Sequence, residues 1–272
     1  MKIDLLKKKS AQIRKDLLQM VCAAGTGHPG GSLSITDLLV YLYYHEMNYD
    51  PGQPQWEERD RLILSKGHSA PALFAILIDL GVVSKKKFHT LRKIGSDLQG
   101  HPVLGKTPGV DMTAGSLGMG LSAGVGMALS ARYTGMSYKT YTILGDGELN
   151  EGQVWEAAMS AAHHKLDNLI AIVDYNKLQI MGSNDEVMGL NSLAAKWSSF
   201  NWNVVSCDGH NFISMETAFT EIKNIKNKPS VIIADTIKGK GVSYMENQAN
   251  WHGSNVPSQE ELQRAIKDID GQ

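Results

Sequence analysis

The chain reads as an α/β protein built on a doubly wound parallel sheet with helices on both faces. Three observations predict this. Five short apolar runs rich in β-branched residues, at 61–64, 140–144, 169–174, 203–207 and 231–234, have the length and composition of buried strands. Stretches with helical patterning separate them, which is the spacing of parallel crossovers and not of hairpins. Glycine-containing loops follow several of the runs, at the strand ends where open parallel sheets collect ligands.

The first 60 residues look mainly helical, with Ile3, Leu5, Leu6, Ile13, Leu17 and Leu18 set among lysines. After the strand at 61–64, a glycine-rich loop at 111–120 leads into a small-residue helix over 121–132. The strand at 140–144 ends in Gly145-Asp146-Gly147. A helix over 151–165 follows, carrying Val154, Trp155, Ala157, Ala158, Met159, Ala161 and Ala162. The strand at 169–174 then runs into Asn176-Lys177-Leu178, and the last two strands complete the alternation. No repeat, low-complexity tract or long linker interrupts the chain, so residues 1–272 are expected to form a single domain. A chain of this size buries roughly 70–75% of its unfolded surface.

A net charge of −1 supplies no basic field for nucleic acid, and Lys7-Lys8-Lys9 and Lys85-Lys86-Lys87 read as solvated faces. The N-terminus lacks the apolar region of a signal peptide and no run approaches the ~18 apolar residues of a membrane span, so a cytoplasmic protein is expected. Cys22 and Cys207 lack metal-ligand spacing and read as reduced buried thiols.

The strand–helix–strand unit brings Asp146 and Asn176 to neighbouring strand ends. Glycines at 145 and 147 let backbone approach a ligand, and the helix start beyond offers free N–H groups to an anion. Asp and Asn oxygens, the Leu178 carbonyl, phosphate oxygens and water make a hard shell suited to Mg²⁺ or Ca²⁺ and not to zinc. An isolated Gly-Asp-Gly is only a turn after a strand; the helix and the Asn ending the next strand make this pattern specific.

Four histidines sit in loops of turn formers: His28 in GHPGG, His68 in KGHS, His101 in GHP and His252 in WHG. Each alone reads as a surface or hydrogen-bonded histidine; together they have the setting of site loops. His163-His164 reads as structural, near a helix end that favours cations. Glu151 and Glu156 have a sufficient structural reading as carboxylates in the first turns of the same helix. The loop at 111–120 has the order G-x-x-G-x-G, not the G-x-G-x-x-G of a dinucleotide site, and suits a flat ring lying on bare backbone.

Taken in order, GHPGGS, SKGHSAPAL, GHP, TAGSLGMGLSAGVGMA, GDGELNEGQVWEAA, DYNKLQ, DGH, KGKGVSYME and WHG make the chain resemble the N-terminal, diphosphate-binding part of transketolase. The resemblance implies thiamine diphosphate as cofactor and transfer of a two-carbon ketol unit from a ketose phosphate to an aldose phosphate, as in the pentose phosphate pathway. It implies a metal held by Asp146, Asn176 and the Leu178 carbonyl. Cofactor contacts would come from His68, Gly115, Leu117, Asp146, Gly147, Glu148, Asn176, Ile180 and His252. His28, His68, His101 and His252 would be the acid–base set facing substrate, and Glu151 and Glu156 would match carboxylates near a subunit interface. The chain departs from the family at Lys177, where a second Asn is common, and at Ser116 and Met119, which replace a Pro and a Gln of the glycine loop.

Transketolases of this resemblance continue for a pyrimidine-binding and a C-terminal domain, the former carrying the glutamate that activates the cofactor. The expectation is therefore one subunit of a split transketolase, inactive alone, paired with a C-terminal subunit in a heterotetramer. Two other enzymes fit the scaffold: a transketolase for an unusual sugar such as apulose phosphate, and a deoxyxylulose-phosphate synthase-like enzyme. A non-catalytic binding or regulatory relic is the reading from another class.

Overall fold

The computed structural model describes residues 2–180, 182–253 and 255–271. Helices α1 (Ile3–Ala24), α2 (Pro29–Ser34) and α3 (Thr36–Tyr41) precede β1 (Arg61–Leu64) and α4 (Ala70–Asp79). Then follow α5 (Met119–Thr134), β2 (Thr140–Gly145), α6 (Gly152–His163), β3 (Leu169–Tyr175), α7 (Asn184–Val187) and α8 (Leu193–Ser199). The chain closes with β4 (Asn203–Asp208), α9 (Phe212–Ile222), β5 (Ser230–Asp235) and α10 (Gln259–Asp270). All five expected strands form, each within two residues of its expected bounds, and they pair in parallel in the order β1-β2-β3-β5-β4.

Side-chain alternation explains the apolar runs of the interior strands β3 and β5. Ile170 and Ile172 of β3 and Ile232 and Ala234 of β5 enter one core with α1, α3, α4, α9 and α10. Their neighbours Leu169, Ala171, Val173, Val231 and Ile233 enter a second core with α5, α6 and α8. Both faces of these runs are covered, so 169–173 and 231–234 are apolar throughout. The chain steps one way across the sheet from β1 through β3 to β4, with α5, α6 and α8 on one face. It then turns back to β5 through α9, which lies on the other face, as right-handed crossovers require.

Register positions the functional loops. Gly145 pairs with Asp174, and Tyr175 with Asp235. The segments starting at Asp146, Asn176 and Thr236 therefore leave the sheet side by side at its carboxyl edge. Among the described residues no helix is long and apolar enough to cross a membrane. Cys207 is buried, but Cys22 is only partly so.

Candidate active site

A cleft of about 600 Å³ opens at this edge, walled by Gly31, Lys66, His68, Leu117, Gly145–Glu148, Asn176, Leu178–Ile180, Lys238 and His252. Most of the expected site residues line it. His28 joins through its ring, whose centroid lies 5.2 Å from that of His68 and 5.6 Å from that of His252, with His68 and His252 5.0 Å apart. His101 and Gly115 are not part of the wall but lie against each other beside it, a Cβ on Gly115 falling 3.7 Å from the His101 ring. Glu151 and Glu156 are exposed on the α6 side and do not reach the cleft. Glu151 is the residue capping α6, yet its side chain makes no capping hydrogen bond, so the helix-end explanation accounts for less than expected.

Asp146 is the acidic centre. Its Oδ1 accepts from the Gly147 N–H (2.8 Å) and its Oδ2 from the Lys177 N–H (2.6 Å) and Asn184 Nδ2 (3.0 Å). Lys177 reaches that position with a left-handed φ of 66°, and its side chain pairs outward with Asp235. Burial, and then the charge of Asp174, push the Asp146 carboxyl up from 3.8 to about 6. Asn176 Nδ2 donates to Asp174 at 3.0 Å, and its Oδ1 accepts from the Leu178 N–H at 3.1 Å.

Asp174 is the buried partner that the sequence did not disclose. Its oxygens accept from Lys66 Nζ (2.5 Å), Thr236 Oγ1 (2.5 Å), Ser34 Oγ (2.8 Å) and Asn176. Burial alone would raise its pKa, but the Lys66 charge and these hydrogen bonds outweigh it and hold the carboxyl low. Lys66 is thereby fixed at the wall. Lys238 sits nearby at 1% exposure; among the described residues it has no carboxylate partner, and Nζ donates to His252 Nδ1 at 3.0 Å. Burial and then Lys66 push its pKa down to about 8, which leaves it mainly an ammonium at neutral pH. Sequence reasoning missed both lysines, although each lies inside a quoted motif.

Burial lowers all four histidines, helped by the surrounding cations: His28 to about 4, His252 to about 3, His68 well below its usual value and His101 less far. The imidazoles are neutral at pH 7. Because Lys238 donates to His252 Nδ1, the ring proton of His252 lies on Nε2, where it can be donated. His28 Nδ1 is buried with no hydrogen-bond partner.

The helix expected over 151–165 forms as α6 from Gly152, after a 3₁₀ turn over Gly147–Asn150, and the Gly147 N–H is taken by Asp146. Neither Gly145 nor Gly147 has a left-handed φ; in the glycine loop Gly118 does, with φ +84° and Glu151 Cβ 2.8 Å from where its own Cβ would stand. The glycine loop is also well anchored despite Ser116 and Met119. Glu148, 3% exposed, accepts from the Gly118 N–H (2.8 Å), the Gly145 N–H (3.0 Å) and Ser65 Oγ, and Ser65 Oγ accepts from the Gly120 N–H at 3.2 Å. Glu148 borders the cleft, but both its oxygens hold three loops together.

The donors fit a shared cation site and not a cage. Among the described residues no three His, Cys, Asp or Glu side chains gather as metal ligands. A raised, buried Asp146 beside an amide oxygen and the Leu178 carbonyl suits a hard divalent ion that takes its remaining oxygens from a diphosphate. Lys66, Lys238 and neutral histidine donors supply the complement for the anion.

A parallel sheet with this cleft at its carboxyl edge defines a diphosphate-cofactor-binding α/β domain. The family described as transketolase, thiamine diphosphate binding domain, matches residues 6–269. The chain is 47% identical over 253 residues to 6-deoxy-6-sulfo-D-fructose transketolase subunit SqwG of Clostridium sp. (strain MSTE9), covering 93% of this chain and 91% of that protein. It is 42% identical over 269 residues to one subunit of the apulose-4-phosphate transketolase of Phocaeicola vulgatus, covering 99% of this chain and 95% of that protein. The crystal structure of transketolase from Campylobacter jejuni superposes with a TM-score of 0.93 at 32% identity, over 99% of this chain and 43% of that one. The chain belongs to the transketolase family, as its thiamine diphosphate-binding part.

Proposed function

We propose that this chain is the diphosphate-binding subunit of a split transketolase, moving a two-carbon ketol unit from a ketose to an aldose phosphate, with the pyrimidine-binding half on a separate C-terminal subunit. The observation that carries it is the convergence of Asp146, Asn176 and Leu178 with Lys66, Lys238 and three neutral histidines on one cleft. The relatives named as transketolase subunits match this chain nearly end to end, which supports the division into two chains. A heterotetramer in the cytoplasm, with Glu151 and Glu156 at a subunit contact, completes the reading.

When bound, thiamine diphosphate supplies the carbon nucleophile and electron sink that cleavage of a ketose C2–C3 bond requires. This chain's own residues bind and orient. Asp146, Asn176 and the Leu178 carbonyl would hold Mg²⁺ against the diphosphate, while Lys238, which pairs with no carboxylate among the described residues, would offset its charge. His252 Nε2–H can hydrogen-bond a substrate hydroxyl, and with His28, His68 and His101 can carry protons at the reacting carbons. Glu148 keeps the glycine loop against the cleft.

One relative is named for 6-deoxy-6-sulfo-D-fructose, a sugar whose sulfo group lies at C6, away from the C2–C3 bond. Recognition of that distal end is therefore assigned to the partner subunit. The test is a donor–acceptor screen on the reconstituted pair. Ketose-dependent transfer without carbon dioxide release is expected; consumption of pyruvate with carbon dioxide release would replace this reading with the synthase-like one.

A further inference from the structure

The turn Asp208-Gly209-His210 lies outside the cleft wall, yet its histidine is tied into the segment that carries Lys238. His210 Nδ1 lies 2.7 Å from Asp37 Oδ2, and its Nε2 accepts from the Ile237 N–H at 2.9 Å. An Nε2 that accepts carries no proton, so the ring proton is on Nδ1 and is donated to Asp37. Asp37 is also gripped by Arg14, whose two terminal nitrogens donate to its two oxygens at 3.0 and 2.5 Å. The remaining Arg14 nitrogen, Nε, donates to the Lys240 carbonyl at 3.1 Å. Arg14 and Asp37 are buried, and the His210 side chain is 11% exposed.

These bonds reach the backbone on both sides of Lys238: Ile237 through His210, and Lys240 through Arg14. Gly209 allows the close approach, because a Cβ there would meet Thr236 Cγ2 at 2.5 Å. Lys238 needs such holding. Its ammonium is opposed first by burial and then by Lys66, and although Asp146 and Asp174 attract it, no carboxylate pairs with it among the described residues, so desolvation favours its leaving the cleft.

We propose that the Arg14–Asp37–His210 cluster is a clamp that positions Lys238 for the cofactor's diphosphate. The inference rests on the reading of the cleft as the thiamine diphosphate site. His210 and Arg14 are positioning residues, acting through Lys238 without touching the ligand.

Two substitutions separate the two bonds of His210. Asn places its amide nitrogen near Nδ1, keeping the bond to Asp37 and losing the acceptor for Ile237. Gln places its amide oxygen near Nε2 and keeps that acceptor. The full chain and its variants are titrated with thiamine diphosphate and Mg²⁺ by calorimetry, with melting curves recorded in parallel. His210→Asn should weaken binding about tenfold, the order of one lost hydrogen bond of middling strength, while His210→Gln stays within about threefold of wild type. In a Lys238→Met background the His210→Asn effect should vanish. Arg14→Lys keeps a cation beside Asp37 but gives up the bond to the Lys240 carbonyl, and should weaken binding by the same order. The clamp is overturned if either His210→Asn or Arg14→Lys binds like wild type, if Asn and Gln weaken binding equally, or if the Asn effect persists without Lys238. A wild-type chain that binds no thiamine diphosphate either alone or with the C-terminal subunit would instead overturn the reading of the cleft, and the clamp with it.

Discussion

Removing the charge of Asp146 should stabilise the cation-free chain while destroying its use of a cation. Asp146 is 2% exposed, and its carboxyl is raised from 3.8 to about 6, first by burial and then by Asp174. A carboxyl whose folded value exceeds its unfolded value costs stability wherever it is ionised. The cost is absent below about pH 4, grows as pH rises to about 6 and is complete above that, at about 3 kcal/mol. Asp146→Asn removes it. The amide oxygen can still accept from Lys177 N–H and Asn184 Nδ2, but its nitrogen cannot accept from Gly147 N–H, a loss of about 1 kcal/mol. The net is a gain of about 2 kcal/mol at pH 8 in EDTA, turning to a loss of about 1 kcal/mol at pH 4. Urea unfolding at both pH values measures this directly. Wild type should gain stability from Mg²⁺ with thiamine diphosphate and the variant should not. A variant equally destabilised at pH 4 and pH 8 would refute the reasoning.

Breaking the buried Lys66–Asp174 pair has the opposite sign. Lys66→Met leaves Asp174 without its cation and should cost about 3–5 kcal/mol in urea unfolding; a cost under about 1 kcal/mol would mean that the three hydrogen bonds to Asp174 suffice alone. Gly67→Ala sets a Cβ 2.7 Å from Ala114 Cβ, so the His68 turn and the glycine loop must separate. The expected outcomes are a loss of about 1–3 kcal/mol and weaker cofactor binding by calorimetry. Asp37 is held well below its usual range: burial opposes this, but Arg14 and His210 prevail. Its contribution to stability is full above about pH 4 and is lost as pH falls further. Asp37→Asn should therefore flatten the acid limb of the pH–stability curve, as followed by circular dichroism.

The strands were legible because burial on both faces leaves an uninterrupted apolar run, and β3 and β5 show it without a polar break before Asp174 and Asp235. The strand order was not legible, since nothing local to β4 or β5 marks which lies at the edge. Asp146 and the histidines stood out because they sit in glycine loops, and Asn176 because it stands at the end of the next strand after Gly-Asp-Gly. Lys66, Asp174 and Lys238 did not, because a charged residue in a sequence defaults to solvent, and only the fold shows that Lys66 and Asp174, 108 residues apart, neutralise one another. Gly145 and Gly147 drew attention through their motif, whereas Gly118 combines a left-handed φ with the close packing of Glu151, 33 residues away, which no local pattern discloses. The 3₁₀ turn after Gly147 was hidden for a related reason: Asp146 caps it with its own side chain, and Gly-Asp-Gly alone does not say which helix type follows.

The most direct test of the split-enzyme account is native mass spectrometry of the tagged chain isolated from its own cell extract with thiamine diphosphate and Mg²⁺ present. The account predicts a second polypeptide of roughly 300 residues, the size of two ordinary domains, at one-to-one stoichiometry and with cofactor bound. Recovery of homo-oligomers alone, without cofactor, would contradict it.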